Sequence, residues 1–194
     1  MGRVRIIGGE WRGRRLEVAE VAGLRPSGDR LRETLFNWLG AHVGRSRCLD
    51  LFAGTGALGL EAASRGAVAV TLVERDARAC AALERALVAL GASSRVRLVR
   101  TTAAAFLASA DTPFDLVFVD PPFADGGQGS VLTRLADGHL SDGARVYVEA
   151  PTCQPWPATL PGTLELERER SFGDVTARLL RSGARRPRGS PEMR

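Results

Sequence analysis

The stretch that decides the fold reads Cys48-Leu49-Asp50-Leu51-Phe52-Ala53-Gly54-Thr55-Gly56-Ala57-Leu58-Gly59. A short apolar run carrying one acid enters a glycine turn, and a helical pattern follows to about Arg65. Gly54, Gly56 and Gly59 have the G-x-G-x-x-G spacing found between the first strand and first helix of nucleotide-binding α/β units. Downstream the same alternation repeats. Val68 to Val73 reads as a strand ending at Glu74, and Asp76 to Leu90 as an Ala-rich helix stopped by Gly91. Arg95 to Val99 is a strand, Ala103 to Ala108 a short helix, and Phe114 to Val119 an apolar strand ending at Asp120. A helix around Val131 to Ala136 and a strand from Ala144 to Val148 complete the series. This order predicts a mostly parallel sheet covered on both faces. Leu164 to Arg170 and Val175 to Leu180, flanking Phe172-Gly173-Asp174, predict an antiparallel C-terminal hairpin, for seven strands in all. Upstream, Arg3 to Gly8 and Arg14 to Val18 predict a small β-hairpin turning at Gly8-Gly9. Ser27 reads as the N-cap of a helix whose core face is Leu31, Leu35, Trp38 and Leu39.

Composition narrows the function. The chain has 194 residues, enough for one domain with a real core. No apolar run approaches a membrane span, and the Arg-rich start lacks the apolar stretch of a secretory signal. Three scattered cysteines and two distant histidines argue against a disulfide scaffold or a metal site and fit a reducing, cytoplasmic setting. All basic residues are arginines, so lysine Schiff-base chemistry is excluded. Charge is uneven: residues 1–47 and 151–194 are net positive and the middle is net negative. That pattern suits a catalytic body with polyanion-contacting ends.

Two cofactors compete for the glycine loop. With Glu74 placed to bind ribose hydroxyls, a nicotinamide dinucleotide is reasonable. Asp50 inside the first strand argues for S-adenosylmethionine instead. A pyrophosphate gains nothing from a nearby carboxylate, whereas a sulfonium and an ammonium do.

Asp120-Pro121-Pro122-Phe123 follows the fourth strand, where open α/β sheets bind ligands. The chemistry suits a planar amine whose lone pair is delocalised into a ring. A carboxylate and a fixed backbone carbonyl can each accept one amine hydrogen, which favours the pyramidal, nucleophilic form. The prolines restrict that backbone, and Phe123 offers a stacking face worth about 1–3 kcal/mol.

These segments resemble the bacterial RsmD family, the 16S rRNA (guanine-N(2))-methyltransferases. The resemblance runs from residue 3 to about 181. It rests on four segments: Arg5-Ile6-Ile7-Gly8-Gly9-Glu10-Trp11-Arg12-Gly13, the stretch from Leu24 to Leu39, the glycine loop from Asp50 to Ala62, and Phe118-Val119-Asp120-Pro121-Pro122-Phe123. It implies a Rossmann-like class I S-adenosylmethionine-dependent methyltransferase fold with an N-terminal hairpin. It also implies methyl transfer to one guanine of 16S rRNA in the small ribosomal subunit or its assembly intermediate. The chain departs from the family pattern at Thr101-Thr102-Ala103, which offers no acid or amide side chain for the adenine amino group. The expected organisation is an RNA-contacting hairpin over 1–20, a methyltransferase domain over 21–182 and a basic, disordered tail over 183–194, acting as a monomer without metal or membrane. The expected catalytic set is Asp120, Pro121, Pro122 and Phe123. The expected cofactor set is Asp50, Phe52, Gly54, Gly56, Glu74, Arg75 and Ser27. Arg3, Arg5, Arg12, Arg14 and Arg15 are expected to grip RNA phosphates, with Trp11 either stacking on a base or packing the hairpin. Three other readings remain open: an adenine-N(6) methyltransferase on DNA or RNA, a non-catalytic RNA-binding assembly factor, and a nicotinamide dehydrogenase.

Overall fold

Apolar runs of four to six residues, each bounded by a glycine or an acid, are short enough for strands and too short for helices. The structure, a computed structural model, describes residues 3–17, 28–122, 128–157 and 159–183. Ser27, Phe123 and nearly all of the basic tail lie outside them.

The N-terminal strands β1 (Arg3–Arg5) and β2 (Arg15–Glu17) pair antiparallel. Helix α1 (Asp29–Leu39) follows. The main sheet is built from β3 (Arg47–Asp50), β4 (Ala69–Glu74), β5 (Val96–Arg100), β6 (Phe114–Val119), β7 (Leu140–Pro151), β8 (Leu164–Phe172) and β9 (Val175–Ser182). The intervening helices are α2 (Ala57–Ser64), α3 (Ala77–Leu90), α4 (Ala103–Ser109) and α5 (Gln128–Arg134). Strand order is β5-β4-β3-β6-β7-β9-β8, parallel through β7 and antiparallel beyond it. This is a Rossmann-like order, a mostly parallel seven-stranded sheet ending in an antiparallel hairpin. Edge strand β8 is studded with Glu165, Glu167, Arg168, Glu169 and Arg170, charges that discourage edge-to-edge pairing. No described helix is long and apolar enough to cross a membrane.

Local signals place the boundaries. The Asp76 carboxylate caps α3 by accepting from Arg78 N and Ala79 N, and Gly91 closes it in the left-handed region. Thr102 caps α4 by accepting from Ala105 N at 3.2 Å. The N-cap of α1 is Gly28, one residue past the expected Ser27, and it makes no side-chain cap bond. β7 is longer than expected because it runs on to pair with β9 as far as Pro151.

The hairpin belongs to the body. Val4, Ile6, Trp11 and Leu16 join Leu31, Leu35, Phe36 and Leu39 of α1 and the α2 side of the sheet in one apolar cluster. A buried ionic knot fastens it. Glu61, on a helix whose residues are all buried, accepts Ile7 N at 2.7 Å and Gly8 N at 2.8 Å. The same carboxylate faces Arg65 Nε at 2.7 Å and Arg32 at 3.6 Å. Arg32, fully buried in α1, donates to Arg5 O at 2.9 Å and to Asp29 at 2.7 Å. Gly9 sits at φ +77°, and a Cβ there would lie 1.8 Å from Ser64 O, so Gly8-Gly9 is a docking contact as well as a turn.

Removing one partner of a buried ion pair strands the other charge and costs about 3–5 kcal/mol. Glu61→Ala is therefore expected to lower unfolding free energy in urea by that amount and to open residues 3–17 to protease. A loss below about 1 kcal/mol, with the hairpin still protected, would refute the docking role.

Candidate functional site

Parallel pairing puts aligned side chains on the same face of a sheet. Asp50 pairs with Leu72 on β4 and with Phe118 on β6, and Phe118 pairs with Tyr147 on β7. Leu72, Phe118 and Tyr147 all belong to the cluster under α1 and α2. Two residues further along each strand stand Glu74, Asp120 and Glu149. Four neighbouring strands thus present Asp50, Glu74, Asp120 and Glu149 on one face near their carboxyl ends. The acids are spread in a row: among the described residues no group of three or more is placed to hold a metal ion.

Asp50 is the deepest, 1% exposed. Its Oδ2 accepts Gly59 N at 3.0 Å, while Oδ1 is buried without a hydrogen-bond partner. Burial pushes its carboxyl from the ordinary 3.8 up to about 7. Backbone amides of Gly59 and Phe52 pull the other way, and the charges of Glu74 and Glu149 push it further up. Gly59 permits this contact, since a Cβ there would stand 2.2 Å from Leu72 and 3.2 Å from Asp50 Oδ2. A buried acid among acids, with one oxygen unused, fits a cationic ligand and would repel a pyrophosphate.

Glu74 is locked against the glycine turn. Its Oε2 accepts Gly54 N, and its Oε1 accepts Arg75 N and Asp76 N, each at 2.8 Å. An ionised carboxylate offers about four lone-pair sites, so acceptor capacity remains for a hydroxyl. Gly56 lies at φ +76° as the N-cap of α2. Arg75 meets the site through its backbone while its side chain is exposed. The Phe52 ring packs on the cluster of the opposite sheet face, and its amide points toward Asp50.

Asp120 is half-buried, Pro121 buried and Pro122 exposed. Of the two readings of Trp11, the fold favours packing: it is 6% exposed, with the Arg95 guanidinium 4.7 Å over its ring, and it packs the hairpin onto the body. Arg3, Arg5, Arg12, Arg14 and Arg15 are all exposed. Of these, Arg5 reaches Asp29 at 3.4 Å and Arg14 donates to Ala89 O at 2.7 Å. Sequence reading missed Glu149, although it follows an apolar strand just as Glu74 and Asp120 do. Cys48 and Cys80 are packing residues, whereas Cys153 is exposed.

Asp50 makes stability fall with pH. Folded, it keeps its proton up to about pH 7; unfolded, it releases it near 3.8. Its contribution is therefore full below about pH 4 and lost as pH rises through about 7. Asp50→Asn lacks this loss, so the melting temperature of the variant minus that of the parent should grow from pH 5 to pH 8. A difference independent of pH would contradict the assignment.

Residues 4–181 match the family described as Conserved hypothetical protein 95. The Escherichia coli K12 protein named Ribosomal RNA small subunit methyltransferase D is 48% identical over 179 residues, covering 92% of this chain and 89% of that one. The Haemophilus influenzae protein of the same name is 41% identical over 182 residues, covering 92% and 93%. The solved structure of the Escherichia coli protein yhhF aligns with a TM-score of 0.84 at 46% identity, covering 95% of this chain and 100% of that one.

Proposed function

This chain belongs to the Conserved hypothetical protein 95 family, the RsmD family that its motifs resemble, and we propose on that premise that it methylates the exocyclic N(2) amine of one guanine in 16S rRNA, with S-adenosylmethionine as donor. The observation that carries the reading is the acid row, above all the unpartnered, buried Asp50 Oδ1. Asp50 faces the cationic end of the cofactor, Gly54 and Gly56 let it approach the turn, and Glu74 takes the ribose hydroxyls. Bound there, the cofactor supplies an electrophilic methyl on a sulfonium.

Asp120 and the Pro121 carbonyl accept the two amine hydrogens and hold the nitrogen lone pair out of the ring plane. Buried Pro121 and the ring constraint of Pro122 fix that carbonyl. Phe123 enters from its place in the sequence, as the face on which the base stacks. The amine becomes acidic once methylated, so its proton passes to solvent water after attack and Asp120 need only orient. Arg3 and Arg15 on the strands and Arg12 in the turn between them, all exposed, hold phosphates of the particle.

The test uses small-subunit particles from cells lacking this gene, incubated with the protein and S-adenosylmethionine, followed by digestion to nucleosides and mass spectrometry. N(2)-methylguanosine is expected; N(6)-methyladenosine would overturn the choice of base. Asp120→Ala should slow transfer at least about 100-fold while leaving cofactor affinity near that of the parent. Full activity would remove its role. Replacing Arg3, Arg12 and Arg15 by Ala should flatten the salt dependence of particle binding, lowering the slope of log K against log salt by roughly 2. An unchanged slope would move the phosphate contacts elsewhere.

A further inference from the structure

Glu149 stands one ladder step beyond Val148, which pairs with Val119, so it is the neighbour of Asp120 across two adjacent strands. Such neighbours lie about 4.8 Å apart along the hydrogen-bonding direction. Glu149 is 4% exposed, on the face that carries Asp50. Its position is fixed from below. Tyr147, fully buried and edge-on to Phe118 at 6.4 Å, donates its hydroxyl to Glu149 Oε1 at 3.0 Å. Burial, and then the Glu149 charge, raise the Tyr147 hydroxyl well above its ordinary range, so it stays a donor at any working pH. Burying a carboxylate costs several kcal/mol. An ionised carboxylate is an acceptor-only group, and here a strand and the Tyr147 phenol hold one beside the acid assigned above to the target amine.

We propose that Glu149 selects the base: its carboxylate accepts the guanine N1–H while Asp120 and the Pro121 carbonyl take the adjacent N(2) amine. The inference rests on the guanine reading above and names the residue that enforces it. Guanine presents two neighbouring donors on this edge, N1–H and N(2)–H. Adenine presents a donor beside an acceptor, because its N1 carries a lone pair. Two neighbouring carboxylates match the first pattern, and one of them repels the second. Sites built to pair a particular polar group reject analogues lacking it by up to about 10⁴–10⁵-fold. The same bond draws the N1 proton toward Glu149 and feeds electron density into the ring, which opposes loss of the amine lone pair.

The experiment uses particles reconstituted with guanine or 2-aminopurine at the methylated position, in single-turnover assays with the full chain. 2-Aminopurine keeps the amine but has a bare N1. The parent protein should methylate guanine at least 100 times faster. Glu149→Gln can donate its amide N–H to a bare N1, so its preference for guanine should fall at least tenfold. Equal slowing of both substrates by Glu149→Gln, with the ratio kept, would make Glu149 a packing residue and overturn the inference. Comparable rates on both bases in the parent protein would overturn it without any variant. A parent protein that methylates neither base, yet methylates adenine elsewhere in the particle, would sink the guanine reading itself and this inference with it.

Discussion

In a parallel sheet a residue at a given ladder step shares its face with its partners on both sides, and four consecutive strands here carry that rule to their carboxyl ends. The ladder through Leu72, Asp50, Phe118 and Tyr147 fixes where Glu74, Asp120 and Glu149 must stand. Slipping any of these strands by one residue would turn its acid to the opposite, apolar face. The site is thus a property of register before it is a property of loops. The electrostatic cost is visible at Asp50, whose carboxyl is pushed up to about 7 by burial and by the Glu74 and Glu149 charges. On the proposed reading, a ligand bearing positive charge takes the place of that proton.

The face that carries the acids is roofed by α1, α2 and the hairpin, and the knot around Glu61 holds this roof down. Arg32 links α1 to the hairpin backbone through Arg5 O, and Glu61 links α2 to the same hairpin through Ile7 N and Gly8 N. The segment presenting exposed arginines is therefore tied rigidly to the helix that supplies the glycine turn.

Much of this was legible in the residues. Strands and helices were read from short apolar runs punctuated by Gly54, Gly91, Glu74 and Asp120, which act locally. The glycine loop and the Asp-Pro-Pro-Phe segment were legible because their chemistry depends on neighbours in sequence. What escaped depends on tertiary contact. Glu61 looks like an ordinary helix-surface acid, yet its surroundings, Leu58-Gly59-Leu60 and Ala62-Ala63, are apolar on every side; that was the available clue to a buried charge. Trp11 among arginines left base stacking and hairpin packing equally open, and only the fold shows Arg95 covering its ring. Glu149 carried the same strand-end signal as Glu74. No glycine loop or proline pair adjoins it, so nothing else local in the sequence marks it.

The central claim is that the strand-end acids are built for a cationic methyl donor and against a pyrophosphate. Calorimetric titration of the full chain with S-adenosylmethionine and, separately, with oxidised nicotinamide adenine dinucleotide tests it most directly. The account predicts saturable binding of S-adenosylmethionine, weakened in Asp50→Asn, and no heat of binding with the dinucleotide. Saturable binding of the dinucleotide with none of S-adenosylmethionine would contradict it.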